Sequence, residues 1–194
     1  MKTYVKTSIT TEPRLVIRYD GDSDSPREWS NLGYFITQDR NYNSPDKNEE
    51  LQAVIKAGGE EVGDNLEHVK YIKKNYKTEK ILAIYSIVKY EHSGVSYSLG
   101  SKSGFDYSNN GFYVITDKTA EELGTPKKSF EKVIKQELEV YNQWCNGEVY
   151  GFTLYDEAGE TLDSCWGFYD LESIRENLPE EWKSEDLEQY LVNN

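Results

Sequence analysis

Apolar positions in this chain come in short runs whose spacing switches between the period of a strand and that of a helix. Arg14-Leu15-Val16-Ile17-Arg18-Tyr19 is strand-like and closes on the turn signal Asp20-Gly21-Asp22. Tyr34-Phe35-Ile36 reads as a second strand, and the polar stretch from Asp39 to Lys47 as a loop. From Asn48 to Ala57, Leu51, Val54 and Ile55 share one helical face, and Gly58-Gly59 predicts the stop. Asp64 is the candidate cap of a second helix, with Glu67 three residues on. Leu66, Val69, Ile72 and Tyr76 make its expected buried stripe; Lys70, Lys73, Lys74, Lys77 and Lys80 give it a basic face. Ile81 to Tyr90 is β-branched and apolar, the pattern of a central strand. Glu91-His92-Ser93-Gly94 then turns into the alternating strand Val95 to Ser98.

A Gly/Ser/Asn loop from Gly100 to Asn110 leads to a strand at Gly111 to Ile115, and Asp117 caps a short helix that stops at Gly124-Thr125-Pro126. Ser129 to Trp144 places Phe130, Val133, Ile134, Leu138 and Tyr141 at helical spacing. Glu148 to Tyr155 and Glu160 to Phe168 predict a hairpin turned by Asp156-Glu157-Ala158-Gly159. Leu171 to Val192 reads as two short acidic helices split at Pro179. Strands and helices do not alternate strictly, and the hairpins imply antiparallel pairing. The expected fold is α+β: one antiparallel sheet with helices mainly on one face and an acidic helical extension from Tyr169 to Asn194. With no repeat and no evident linker, the 194 residues are expected to form a single domain.

Charge changes the picture most. Thirty-five Asp and Glu face 22 Lys and Arg, a net charge of -13. From Asp170 onward eight carboxylates (Asp170, Glu172, Glu176, Glu180, Glu181, Glu185, Asp186, Glu188) face only Arg175 and Lys183. Such a field repels phosphate backbones and argues against direct nucleic-acid binding; it favours a partner with a basic surface. The bland reading is an acidic surface that only keeps the chain soluble. The sixteen Tyr and four Trp supply large rings with polar tips for a core and for an interface. Met1 to Thr10 lacks an apolar leader, and no run approaches the ~18 apolar residues of a membrane span. A soluble cytoplasmic protein is expected.

Candidate chemistry is sparse. His92-Ser93-Gly94 is the one place where a base and a nucleophile are neighbours, and Asp106 or Asp163 could orient His92. Adjacent strand residues point to opposite faces, however, so the pair is poorly placed for a proton transfer. A small hydrolase centred on His92 is the alternative function; a plain turn is the bland one. Asp20-Gly21-Asp22-Ser23-Asp24 spaces carboxylates as a calcium loop does, but Ser25 and Asn31 stand where that loop needs Gly and Glu. His68 and His92 are isolated, and the two cysteines, Cys145 and Cys165, are read as reduced core residues. No metal and no cofactor is expected. In Asp163-Ser164-Cys165-Trp166-Gly167-Phe168-Tyr169, alternation places Trp166 and Phe168 on one face and Cys165 on the other, either as core packing or as the aromatic wall of a groove.

Two motifs carry a resemblance: Ser25-Pro26-Arg27-Glu28-Trp29-Ser30-Asn31-Leu32-Gly33, and Gly147-Glu148-Val149-Tyr150-Gly151-Phe152 followed by Asp163 to Tyr169. Together they resemble a family of small accessory proteins of bacteriophages and mobile elements. That family often has Asp where Ser30 stands, a central His-Ser-Gly, and a Trp-Asp-Ser-Gly-Gln-Val-Gly-like loop. Here the loop is Phe105-Asp106-Tyr107-Ser108-Asn109-Asn110-Gly111, which keeps the Asp and the last Gly. The match runs from about residue 14 to 169 and leaves the acidic tail outside. The resemblance implies a phage or mobile-element setting, in which small acidic proteins block host defence. The expected function is an anti-defence binding protein, most specifically an anti-CRISPR inhibitor of a Cas9-type ribonucleoprotein in the host cytoplasm. The expected contact surface is Glu176, Glu180, Glu181, Glu185, Asp186 and Glu188, with Asp156, Glu157 and Glu160 of the hairpin turn; Glu49 and Glu50 are the next candidates.

Overall fold

The computed structural model describes residues 13–39, 43–62 and 65–192. The expected cap Asp64 lies outside them. The fold is α+β, as the sequence predicts, but it holds two four-stranded sheets rather than one. The chain divides into two compact units, residues 1–24 with 147–194, and residues 25–146. The second is an insertion between two strands of the first. The chain crosses between units at 24/25 and 146/147, so no long polar linker marks the division. Among the described residues no helix is long and apolar enough to cross a membrane.

In the larger unit the strands are β2 (Tyr34–Thr37), β3 (Ile81–Glu91), β4 (Val95–Leu99) and β5 (Tyr107–Thr116), in the order β2-β5-β3-β4 and all antiparallel. Helices cover both faces, where one was expected. Leu32, Phe35, Tyr113 and Ile115 face α4 (Phe130–Cys145) through Phe130, Ile134, Leu138 and Tyr141. Ile36, Phe112 and Val114 face α1 (Glu49–Glu61) and α2 (Asn65–Asn75) through Leu51, Ile55 and Ile72. The consecutive apolar runs of β2 and β5 follow from this burial on two sides.

Several local expectations shift. α1 runs through Gly58-Gly59 instead of ending there. A side chain at 58 would place its Cβ 2.6 Å from His68 Cδ2 and 2.8 Å from Tyr71 Cδ1, so Gly58 lets α2 approach closely. In α2 the buried residues are His68 and Ile72, with Tyr76 buried just past its end, while Leu66 is 64% exposed. His68 Nε2 meets the Ile55 carbonyl at 2.7 Å, which satisfies a buried imidazole. β5 begins at Tyr107, inside the expected loop, because Tyr107 and Ser108 pair with Tyr90 and Lys89. α3 (Asp117–Leu123) is capped by Thr116, in a reciprocal box with Thr119, and not by Asp117; it ends on left-handed Gly124.

The motif from Ser25 to Gly33 folds around one buried cation. Ser25 caps a short 3-10 turn over Pro26–Glu28, which turns Arg27 inward. The Arg27 side chain is 2% exposed. Its five N–H groups are all used. Nε donates to Asp46 Oδ1 (3.0 Å), Nη1 to Asn31 Oδ1 and Glu137 Oε2 (2.9 Å each), and Nη2 to Asp46 Oδ2 (2.6 Å) and the Gly33 carbonyl (2.8 Å). The two carboxylates take further donors: the Leu32 amide on Glu137, the Phe35 amide on Asp46, and the Tyr113 hydroxyl on Glu137. Burial works against the Arg27 charge, but the hydrogen bonds and charge of Asp46, with Tyr113 and Glu137, hold its pKa above the ordinary value. Burial pushes the Tyr113 phenol up, Arg27 pulls it back and Glu137 pushes it up again; the net is a phenol held protonated as a donor.

The smaller unit has β1 (Arg14–Tyr19), β6 (Tyr150–Tyr155), β7 (Thr161–Phe168) and β8 (Leu191–Val192), in the order β7-β6-β1-β8. The β6–β7 hairpin matches its prediction; only β1–β8 is parallel. The acidic segment is no extension. α5 (Leu171–Asn177) and the 3-10 turns at Glu180–Trp182 and Leu187–Tyr190 form the layer that covers this sheet, and β8 joins the sheet as its edge strand beside β1. Ile174, Leu178 and Leu187 bury against Leu15, Ile17, Phe152 and Leu154. Only the first of the two expected helices is an α-helix.

Arg27→Ala strands Asp46 and Glu137 without their cation, and is expected to cost about 3–5 kcal/mol in urea unfolding. Arg27→Lys is expected to recover only part of that, since an ammonium cannot reproduce a five-donor fork.

Candidate functional site

The residues that sequence reasoning singles out fall in four places. The first is the cleft beside the Arg27 motif, about 580 Å³, lined by Trp29, Asn31, Tyr34, Asp46 and Glu122 among others. Arg27 forms part of its wall, but its donors are all spent on the protein. It has none left for an anionic ligand. The motif therefore reads as a folding device with Trp29, 55% exposed, at its rim.

The second place is the His-Ser-Gly turn. His92 sits between β3 and β4 with its side chain 68% exposed, and its Nδ1 lies 3.9 Å from Asp106 Oδ1. That is beyond hydrogen-bond reach. Asp163 belongs to the other compact unit. The Gly of this motif has a packing role. A Cβ at Gly94 would lie 2.5 Å from Asn146 Oδ1. The space left open admits the Asn146 amide, which bonds Val95 N (2.9 Å) and Val95 O (2.8 Å). One turn earlier on α4, Asn142 does the same for Tyr97 (2.7 and 3.0 Å). Two amides at helical spacing thus close the outer edge of β4.

The third place is the aromatic strand β7. Gly167, at φ +86°, is inserted as a bulge: Tyr150 pairs with Phe168 and Gly151 with Trp166. Alternation therefore breaks, and Trp166 and Phe168 lie on opposite faces, contrary to expectation. Phe168 stacks on Phe152 at 5.9 Å. Trp166 lies flat over Gly151, where any side chain would overlap its ring. That contact explains why the two Gly-containing motifs belong together. Trp166 also lines an open cleft of about 580 Å³ with Arg18 and Val192. Cys165 is exposed rather than core, because β7 is an edge strand; Cys145 is half-buried, and both thiols are free. Burial pushes the Cys145 thiol up, with Tyr141 partly offsetting it.

The fourth place is the acidic layer. α5 is capped by Asp170, which accepts from the Ser173 amide at 2.6 Å. Leu171, Ile174 and Leu178 turn toward the sheet, so Glu172 and Glu176 point outward. Both cations are consumed within the layer. Arg175 bonds Glu172 (3.2 Å) and the carbonyls of Lys183 (2.5 Å) and Glu185 (2.8 Å). Lys183 pairs with Glu180 at 2.7 Å. Asp186 caps the last 3-10 turn, and Glu185 accepts from the Tyr190 hydroxyl. Glu176, Glu181 and Glu188 are exposed, and their side chains have no ion pair or hydrogen bond among the described residues. In the hairpin turn Asp156 is spent on the Ala158 and Glu160 amides, while Glu157 and Glu160 are exposed.

No family model, no curated protein and no solved structure matches this chain.

His92→Ala is expected to leave the fold unchanged and any inhibitory activity within about threefold. A loss of ~100-fold in a folded variant, the usual cost of removing a catalytic base, would put chemistry at this turn.

Proposed function

We propose that this chain is an anti-defence binding protein of a phage or mobile element, and most specifically an inhibitor of a Cas9-type nuclease. It acts by laying the acidic layer of its smaller unit against a basic nucleic-acid groove. The observation that carries this reading is the pairing pattern in that layer. Arg175 and Lys183 are both engaged internally, which leaves Glu176, Glu181 and Glu188 as uncompensated charge. These carboxylates stand on backbone anchored by Ile174, Leu178 and Leu187, each at most 3% exposed. A surface already held in shape loses little entropy on docking. Such carboxylates serve folding poorly, since nothing inside the protein offsets their repulsion. The protein works by occupying its target, binds neither nucleic acid nor membrane, and acts in the host cytoplasm.

Incubation with Cas9-type ribonucleoprotein and target DNA is expected to leave substrate uncut. Reversal of Glu176, Glu181 and Glu188 to Lys is expected to keep the fold. It should weaken binding at least tenfold at low salt, about 1.4 kcal/mol, with the difference shrinking as salt rises. Equal inhibition by parent and variant across a salt titration would rule this surface out.

A further inference from the structure

The sheet of the smaller unit has two unlike faces. Leu15, Ile17, Phe152 and Leu154 turn to the acidic layer, so the residues that alternate with them turn to the other face. There Trp166 of β7, Gly151 of β6, Arg18 of β1 and Val192 of β8 stand in register, one row across all four strands. Trp166 and Arg18 are two strand spacings apart, ~10 Å between Cα atoms. The indole leans into that gap. It lies flat over Gly151, where any side chain would overlap it, yet it is 45% exposed, so its outer ring face is open. Its N–H makes no hydrogen bond among the described residues.

Arg18 is as unused as the indole. Arg27 spends all its donors on the protein, Arg175 bonds Glu172 and two carbonyls, and Arg14 stacks on Tyr155 at 4.5 Å. Arg18 is exposed, and its guanidinium has no hydrogen bond, ion pair or ring contact among the described residues. Both side chains line one cleft of about 580 Å³, with Asp20, Asp22 and Val192 also in its wall. The volume is that of a small-molecule site.

We propose that this cleft binds a nucleoside monophosphate. The base stacks on the outer face of Trp166, and the phosphate takes a forked pair of hydrogen bonds from Arg18. Asp20 and Asp22 accept from ribose hydroxyls or base amino groups. The same carboxylates limit the number of phosphates. Arg18 is the one cation among the described residues of the wall, so each further phosphate would meet Asp20, Asp22 and the field of a chain of charge -13. A free mononucleotide is therefore favoured over a triphosphate or a strand. The cleft lies across the sheet from the acidic layer and works whatever that layer binds.

The test titrates the full chain with AMP, GMP, CMP and UMP, followed by tryptophan fluorescence and calorimetry. Adenosine and the other nucleosides, inorganic phosphate, ATP and a single-stranded oligonucleotide serve as comparisons. At least one monophosphate is expected to bind with a Kd below ~1 mM and to quench the indole. Its nucleoside, inorganic phosphate and ATP should each bind at least about tenfold more weakly. Arg18→Gln is expected to leave the melting profile unchanged, since the side chain touches no partner. It should weaken the monophosphate at least about tenfold and leave the nucleoside unaffected. Arg18→Lys should recover only part of the loss, because an ammonium does not fork. Trp166→Ala should weaken nucleoside and monophosphate alike and abolish the quenching; if that variant fails to fold, Arg18→Gln decides. No binding of any monophosphate at ~10 mM overturns the proposal. Equal binding by Arg18→Gln and parent overturns it too, as does tighter binding of inorganic phosphate, ATP or the oligonucleotide than of the monophosphate.

Discussion

The buried guanidinium of Arg27 is the constraint on which the larger unit depends. Its carboxylate partners are 19 and 110 residues away in sequence, on the loop after β2 and on α4. An unpaired charge at 2% side-chain exposure would cost several kcal/mol, so the fold can bury Arg27 only with both segments in place. The carboxylates pass the constraint on. Each also takes a backbone amide, Leu32 or Phe35, which fixes where β2 begins and closes its edge. One ion cluster therefore joins the 3-10 turn, the sheet and α4. The same saturation leaves Arg27, the cation of the most distinctive motif of the sequence, with no donor to offer a ligand in the neighbouring cleft.

The smaller unit is organised around its acidic layer. Apolar residues of that layer complete the core, and its two cations hold its turns, so the outward carboxylates are placed by packing rather than left on a mobile tail. Stability and charge display come from opposite sides of one segment. A basic partner would meet carboxylates already arranged, and the chain would surrender little conformational freedom to bind it.

Much of the fold was legible. The β6–β7 hairpin, α4 and the central strand β3 follow from period and turn signals alone. Failures came where a single residue served a distant neighbour. Gly58 looks like a helix stop, but its missing side chain makes room for His68. Gly167 looks like one more strand residue, but as a bulge it sends Trp166 and Phe168 to opposite faces. The acidic stretch reads as helices because its apolar residues are few; they suffice to cover a sheet in 3-10 turns. Of the candidate site, the excess of negative charge was visible in the sequence. Which carboxylates are spent was not, since pairing depends on rotamers and on carbonyls such as those of Lys183 and Glu185. The role of Arg27 was equally hidden, its partners being far away in sequence.

Native-state hydrogen exchange at the Leu32 and Phe35 amides tests the central claim most directly. Each is hydrogen-bonded to a carboxylate of the Arg27 cluster rather than to a neighbouring strand. If the cluster holds the larger unit together, both amides exchange only through that unit's global opening, with the same free energy and denaturant dependence as the amides of β5 and α4. Exchange through local fluctuation, markedly faster than β5 and insensitive to denaturant, would show that the cluster forms on a fold already held by its apolar core.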